Sequence, residues 1–421
     1  MNALRTHSAL PLPAGWQNVP LKRSLQRIIA KSTDQDFVVA LENITSWTGE
    51  LVSTDSIFEG DGVGFKKDDI LFGKLRPYLA KVYLAERAGQ AVGDLWVLRA
   101  LPKMHPSFAA YQLREPGLID LINSSTIGAK MPRAEWATVG SMSVPTPPLE
   151  NQVEIAEFLD DETARIDRLI DRKHRFIELL REKSLAIIAQ AVTGGIYRAS
   201  DIIEDAPRWL GHVPSHWKII RIAELFREVV RSADPNLPVL AVSIHNGVSD
   251  KELDDEDRAR KVNLSEDRTK YQRVQPGDLV YNMMRAWQGA FGTVTVNGLV
   301  SPAYVVAEPK AEFRTKFVEL QLRTASGAEE VRRFSRGIAD FRQRLYWEHF
   351  RNLKVCLPSL AEQDEIIAHI EAEQARLSLL KAKTERSIEL LREHRAALIT
   401  AAVTGKIDVR DVSTKNMKVA A

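Results

Sequence analysis

Residues 144–196 run VPTPPLENQVEIAEFLDDETARIDRLIDRKHRFIELLREKSLAIIAQAVTGGI, and residues 355–407 run VCLPSLAEQDEIIAHIEAEQARLSLLKAKTERSIELLREHRAALITAAVTGKI. The two align without a gap at a constant offset of 211 residues. Pro147 meets Pro358, Leu149 meets Leu360 and Gln152 meets Gln363; the run IELLRE at 177–182 meets the same run at 388–393. A match of this length is a duplication, and a period near 200 residues marks duplicated domains rather than stacked short repeats.

Each copy has the pattern of one long helix. Prolines precede it, and Gly194 or Gly405 is placed to end it as a C-cap. From Glu150 to Thr193 neither Pro nor Gly interrupts it, which gives a rod of roughly 65 Å. Such a helix needs a packing partner. Leu159, Ile166, Leu180 and Ile187 recur at seven or its multiple, with Leu169 and Phe176 between them. The second copy offers Ile370, Leu377, Leu391 and Leu398, with Leu380 between. This is a heptad seam with flaws at Lys173 and Thr384. Two independent surface helices are the plainer alternative, but the charged flanks leave each copy little to bury except the other.

Working outward, the stretches before the helices also match. The first opens on Pro13-Ala14-Gly15-Trp16 and the second on Pro214-Ser215-His216-Trp217. Short β-type runs follow, including Asp69-Ile70-Leu71-Phe72 and Asp278-Leu279-Val280-Tyr281, each leading into a basic loop. Both stretches close near a tryptophan, Trp136 and Trp347, again 211 apart. Strand and helix patterns are mixed, so each is an α+β unit. The chain divides into a first unit (1–148), a central long helix (149–196), a second unit (197–357), a distal long helix (358–407) and a polar tail (408–421).

Composition sets broad limits. An apolar content of 44% suffices for cores, and a net charge of +2 neither requires nor forbids a nucleic-acid partner. The single cysteine, Cys356, excludes an intramolecular disulfide and reads as a buried thiol rather than a nucleophile. No stretch approaches the roughly 20 apolar residues of a membrane span, and the N-terminus lacks the apolar centre of a secretory signal. The expectation is a cytoplasmic protein without a membrane partner.

The paired duplication, Pro147-Pro148-Leu149-Glu150-Asn151-Gln152, Pro358-Ser359-Leu360-Ala361-Glu362-Gln363, the run FGKLRPY at 72–78 and the two AVTG ends resemble the specificity (S) subunit of type I restriction-modification systems. The resemblance covers nearly everything from Trp16 to Gly405. It implies two target recognition domains, each reading one half of a split site in double-stranded DNA. It also implies an antiparallel coiled-coil pair of long helices that spaces the domains and docks two methyltransferase (M) subunits, with restriction (R) subunits where the system has them. S-adenosylmethionine, ATP and Mg would belong to those partners, and this chain would hold no cofactor. The second unit departs from the pattern, with residues 282–287 (NMMRAW) in place of GKLRPY, which leaves its base preference open.

The loop residues suit DNA. In the first unit the candidates are Lys74, Arg76 and Tyr78 on one loop and Thr126, Lys130 and Arg133 on another. In the second they are Asn282, Arg285 and Gln288, then Arg336, Arg342 and Arg344. Between Arg332 and Lys354 seven basic residues face two acidic ones. Arg grips phosphate or reads guanine, Asn and Gln read adenine, and Gly lets the backbone approach the sugar-phosphate chain. The acidic run from Asp250 to Asp257 should face away from phosphate. Catalytic signatures are missing: Gly73-Lys74 and Gly405-Lys406 lack the rest of a P-loop, and Thr146-Pro147-Pro148-Leu149 lacks the polar and aromatic ends of an amino-methyltransferase motif. The nine histidines form no metal motif. The expectation is a non-enzymatic recognition subunit. The alternative is a helical scaffold joining two protein-binding domains without DNA contact.

Overall fold

The structure is a computed structural model, and it describes residues 11–32, 36–53, 61–128, 130–197, 201–244, 247–251, 268–337 and 343–410. Two long helices, Leu149–Gly194 and Leu360–Val403, accompany mixed helix and sheet. The chain forms two compact units, one of residues up to His174 together with Glu385 onward, the other of Arg175–Thr384.

The first unit is built on a four-stranded antiparallel sheet in the order Leu25–Ile28, Leu95–Ala100, Ile70–Gly73, Val82–Leu84. Ile70, Leu71 and Phe72 are all buried because both faces of this sheet are covered. Alternate side chains point opposite ways along a strand. Ile70, Phe72, Trp96 and Leu98 therefore pack with Phe108, Leu118 and Ile122 of the helices Pro106–Leu113 and Pro116–Ser124. Leu71, Val97 and Leu95 pack with Val39 and Phe65 of a smaller sheet. Asp69 holds the turn before the central strand, accepting from Lys66 N at 2.8 Å and from Arg99 Nε at 2.7 Å.

The second unit repeats the plan. Its sheet runs Phe226–Glu228, Tyr304–Pro309, Leu279–Asn282, Phe291–Thr293. Leu279 and Tyr281 face the helix-lined core with Phe317 and Leu322, while Val280 and Val306 face the other way with Val274 and Val300. In each unit a short ladder joins the opening strand to the strand before a long helix: Gln17–Pro20 with Ser143–Thr146, and Lys218–Arg221 with Lys354–Leu357.

The long helices pack antiparallel. In the first unit the start of one (Ile155, Ala156, Leu159) shares a core with the end of the other (Ile399, Ala402, Val403), and Arg395 Nε donates to Asp167 at 3.0 Å. In the second unit Ala191 and Val192 share a core with Ile366 and Ile370. Leu159, Ile166, Leu180, Ile370 and Leu377 are buried, and Ile187, Leu391 and Leu398 are half-buried.

Three expected seam positions are corrected. Leu169, Phe176 and Leu380 are 39%, 42% and 36% exposed. The seam of the first helix passes instead through their neighbours Ile170 and Ile177, which continue the four-three spacing of Leu159, Thr163 and Ile166. In the second helix Thr384 and Ile388 are the buried residues on that side of Leu380. Thr384 is tolerated there because its hydroxyl donates to Leu380 O at 2.8 Å. The helix ends differ slightly from expectation too. Gly194 is still helical, and the left-handed residue is Gly195 at φ +77°, whereas Gly405 itself is left-handed at φ +73°. A Cβ at Gly405 would fall 2.7 Å from Pro13 Cγ, so this glycine also admits the opening turn of the first unit.

Candidate nucleic-acid interface

The central strand of each sheet ends in a loop, and backbone bonds tie that loop to others. In the first unit Lys74 N donates to Asp94 O at 2.9 Å, and Lys74 O accepts from Ala134 N at 2.9 Å. Arg76 N donates to Pro132 O at 2.8 Å, while Ile127 and Arg133 exchange two bonds of 3.0 Å. Residues 74–80, 93–94, 126–128 and 130–134 thus meet at one corner. Arg76 and Ala80 adopt left-handed φ of +51° and +46° around the one-turn helix Pro77–Leu79. That costs about 1 kcal/mol or more for a non-glycine residue and persists because the neighbouring bonds and buried Pro77 impose it. The result presents Arg76 and Tyr78 outward, both exposed.

The first-unit candidates separate by environment. Arg76 and Lys130 are exposed and make no ion pair with any described residue. Lys74 and Arg133 converge on one carboxylate, Asp94, at 3.7 and 3.1 Å. Thr126 donates its hydroxyl to Asn123 O at 2.7 Å and so closes its own helix end. Asp94 and the exposed Ile127 and Met131 belong to the same corner but were not singled out from sequence. The signal for Asp94 was the Gly93-Asp94 turn directly before a buried strand.

The second unit has the corresponding corner. Met283 O accepts from Leu345 N at 2.9 Å, and Met283 N donates to Ala303 O at 3.4 Å. Asn282 Oδ1 accepts from Met284 N at 3.0 Å, so part of its amide shapes the loop. Gln288 is exposed and Arg285 half-buried. Trp287 Nε1 donates to Met284 O at 3.1 Å, and the Arg332 guanidinium lies 5.6 Å from the Trp287 ring centre. Arg336 and Arg344 exchange two backbone bonds of 2.9 Å and therefore stand directly opposite one another. Both are exposed, and neither makes an ion pair with a described residue. Like charges opposed in a ladder destabilise it unless an anion lies between them. Arg342 and residues 252–257 of the acidic run lie outside the described residues. Among the described residues no group of His, Cys, Asp or Glu could hold a metal, and no helix is long and apolar enough to cross a membrane.

The first corner lies within a stretch that matches a known family. Residues 51–178 match the type I restriction modification DNA specificity domain. The chain is 26% identical over 161 residues to the EcoDI type I restriction enzyme specificity subunit of Escherichia coli, a match spanning 37% of this chain and 36% of that subunit. It is 22% identical over 375 residues to the EcoBI specificity subunit of the same species, spanning 84% of this chain and 77% of that one. A solved chain described within the complex assembly of a type I R-M system superposes with a TM-score of 0.63 at 17% identity, covering 94% of this chain and all of the other. The HsdS subunit of Thermoanaerobacter tengcongensis gives 0.52 at 17%, covering 96% of this chain and all of the other. Residues 51–178 thus match a type I restriction modification DNA specificity domain, and along most of its length the chain is similar to type I restriction enzyme specificity subunits and shares the fold of solved ones.

Proposed function

We propose that this chain is the DNA sequence-recognition subunit of a type I restriction-modification complex. Each α+β unit reads one half of a bipartite target, and the long helices set the spacer and dock methyltransferase subunits. The chain performs no chemistry itself; S-adenosylmethionine, ATP and Mg act in the M and R partners, in the cytoplasm. The observation that carries this reading is the pair of exposed arginines, Arg336 and Arg344, held opposite each other without an anionic partner among the described residues. A phosphate backbone supplies the missing charge. The first unit supports it with Arg76, Tyr78 and Lys130 on joined loops.

The test is binding of the full chain to duplex DNA across a salt series. Neutralising phosphates makes log K fall linearly with log salt, by about 0.9 per phosphate contact. Replacing both Arg336 and Arg344 by Gln should weaken binding and flatten that slope by about 2. Retention that ignores salt, or no retention at all, would instead favour the protein-binding scaffold.

A further inference from the structure

Asp94 occupies an unexpected place on a surface meant for a polyanion. Its carboxylate lies between the two basic side chains of the first unit's joined loops, with Lys74 Nζ at 3.7 Å and Arg133 Nη2 at 3.1 Å. Lys74 Nζ also donates to Gly93 O at 3.4 Å. The carboxylate is one-fifth exposed and Lys74 about one-quarter, so this pair is partly withdrawn from water, while Arg133 is more than half exposed.

The duplication shows that the fold does not require this acid. Pairing of Gly73 with Leu95 in the first sheet corresponds to pairing of Asn282 with Tyr304 in the second. The residue before Leu95 is Asp94, and the residue before Tyr304 is Ala303. Both carbonyls accept the same backbone bond, from Lys74 N and from Met283 N. Both loops also keep an arginine at the matching position, Arg133 and Arg344. One corner therefore carries an acid and a lysine, Asp94 and Lys74, where the other has Ala303 and Met283 on the same backbone.

Phosphates reaching this corner compete with Asp94 for Lys74 and Arg133 and come close to a carboxylate of their own sign. A carboxylate only accepts hydrogen bonds. In the major groove, amino groups of adenine and cytosine donate, while the remaining polar edge atoms of the bases accept and repel it. We propose that Asp94 is a specificity-determining residue of the first unit: it withholds Lys74 and Arg133 from phosphates until a base edge offers its carboxylate an amino donor. This rests on the DNA-recognition reading above and adds the base chemistry selected at one position.

The test compares full-length wild type, Asp94→Asn and Ala303→Asp. Asn keeps the shape of Asp94 without its charge, and unchanged thermal unfolding checks that it folds. On a non-target duplex at about 0.1 M salt, Asp94→Asn should bind about tenfold tighter, with the log–log salt slope steeper by about 1 to 2, as each freed cation finds a phosphate. Ala303→Asp should weaken non-target binding to a similar degree. In selection from a random duplex pool, the wild-type motif should hold one adenine or cytosine position whose base preference changes in Asp94→Asn, because an amide donates as well as accepts. If wild type binds duplex DNA and Asp94→Asn binds no tighter, the role of Asp94 falls and the recognition reading stands. An unaltered motif, or Ala303→Asp binding as wild type, overturns it equally. If no form binds duplex DNA, the recognition reading itself fails and takes this role with it.

Discussion

Gln152 is fully buried, and its amide is shared among three backbone groups. Its Oε1 accepts from His105 N at 2.8 Å, and its Nε2 donates to Pro147 O at 2.9 Å and Lys103 O at 3.1 Å. Gln363 makes two of these three bonds in the second copy, accepting from Arg314 N at 2.8 Å and donating to Pro358 O at 2.9 Å. Gln152→Leu should destabilise the first unit by about 2–4 kcal/mol, because a buried donor and two carbonyls lose their partner at once. Denaturant unfolding followed by hydrogen exchange in residues 95–124 measures this, and a loss under about 0.5 kcal/mol would deny the role, since that is within the range of ordinary surface substitutions. The glutamine was visible in the sequence as a shared motif. Its task was not, since two of its three partners lie 47 and 49 residues upstream. Cys356 is the converse case, where composition sufficed. Burial pushes its thiol up to about 12, against a lowering hydrogen bond from Gln321. A raised thiol pKa contributes stability below the unfolded value of 9.0, and that contribution is lost as pH rises toward 12. At pH 8 a thiol reagent should modify Cys356 only as fast as the second unit unfolds; rapid labelling of native protein would contradict its burial.

Among elements, the long helices show what periodicity can and cannot settle. Their length, start and pairing followed from the apolar spacing and from the equal lengths of the copies. The face was ambiguous where two large apolar residues adjoin, as at Leu169-Ile170 and Phe176-Ile177. Only the partner helix decides between neighbours one residue apart. The antiparallel register makes the proposed spacer role testable. Asp167 meets Arg395, so Lys173, six residues on, lies opposite residue 389, six residues back. A heptad duplicated after Lys173 and another after Ile388 keeps the seam in phase. Seven residues add about 10 Å, the rise of about three base pairs. Those pairs also turn the duplex by about 100°, which the helix pair does not follow. With its M partner, the variant should methylate fewer sites, and the surviving motifs should keep both half-sites with a spacer longer by about two to four pairs. Full activity at the parental spacer would end the ruler idea. Inserting in one helix alone should instead break the seam and cost stability.

For the whole molecule, the duplication was legible from end to end, yet the makeup of the cores was not. Chain order associates each globular stretch with the helix that follows it. The cores associate it with the far end of the other long helix as well. Ile399, Ala402 and Val403 are at most 2% exposed and sit in one core with Leu21, Phe108 and Leu159. Thr400 Oγ1 donates to Glu115 Oε1 at 2.8 Å, and Arg395 joins Asp167 to the carbonyl of Trp47 at 3.3 Å. A chain ended at Thr384 would lose all of this while retaining the complete second unit. Each buried aliphatic side chain contributes about 1.5–3 kcal/mol. With the smaller alanine and the two polar links, the loss comes to about 5–8 kcal/mol. That is comparable to the whole stability of a domain, about 5–15 kcal/mol. The first unit of the truncated chain should therefore lose amide protection in Ile70–Gly73 and Leu95–Ala100, while Leu279–Asn282 and Tyr304–Pro309 of the second unit keep theirs. Adding residues 385–421 back as a separate peptide should restore part of the lost protection, because the missing surface is one contiguous helix end. Undiminished protection in the first unit of the truncated chain would show that its core closes without the second repeat.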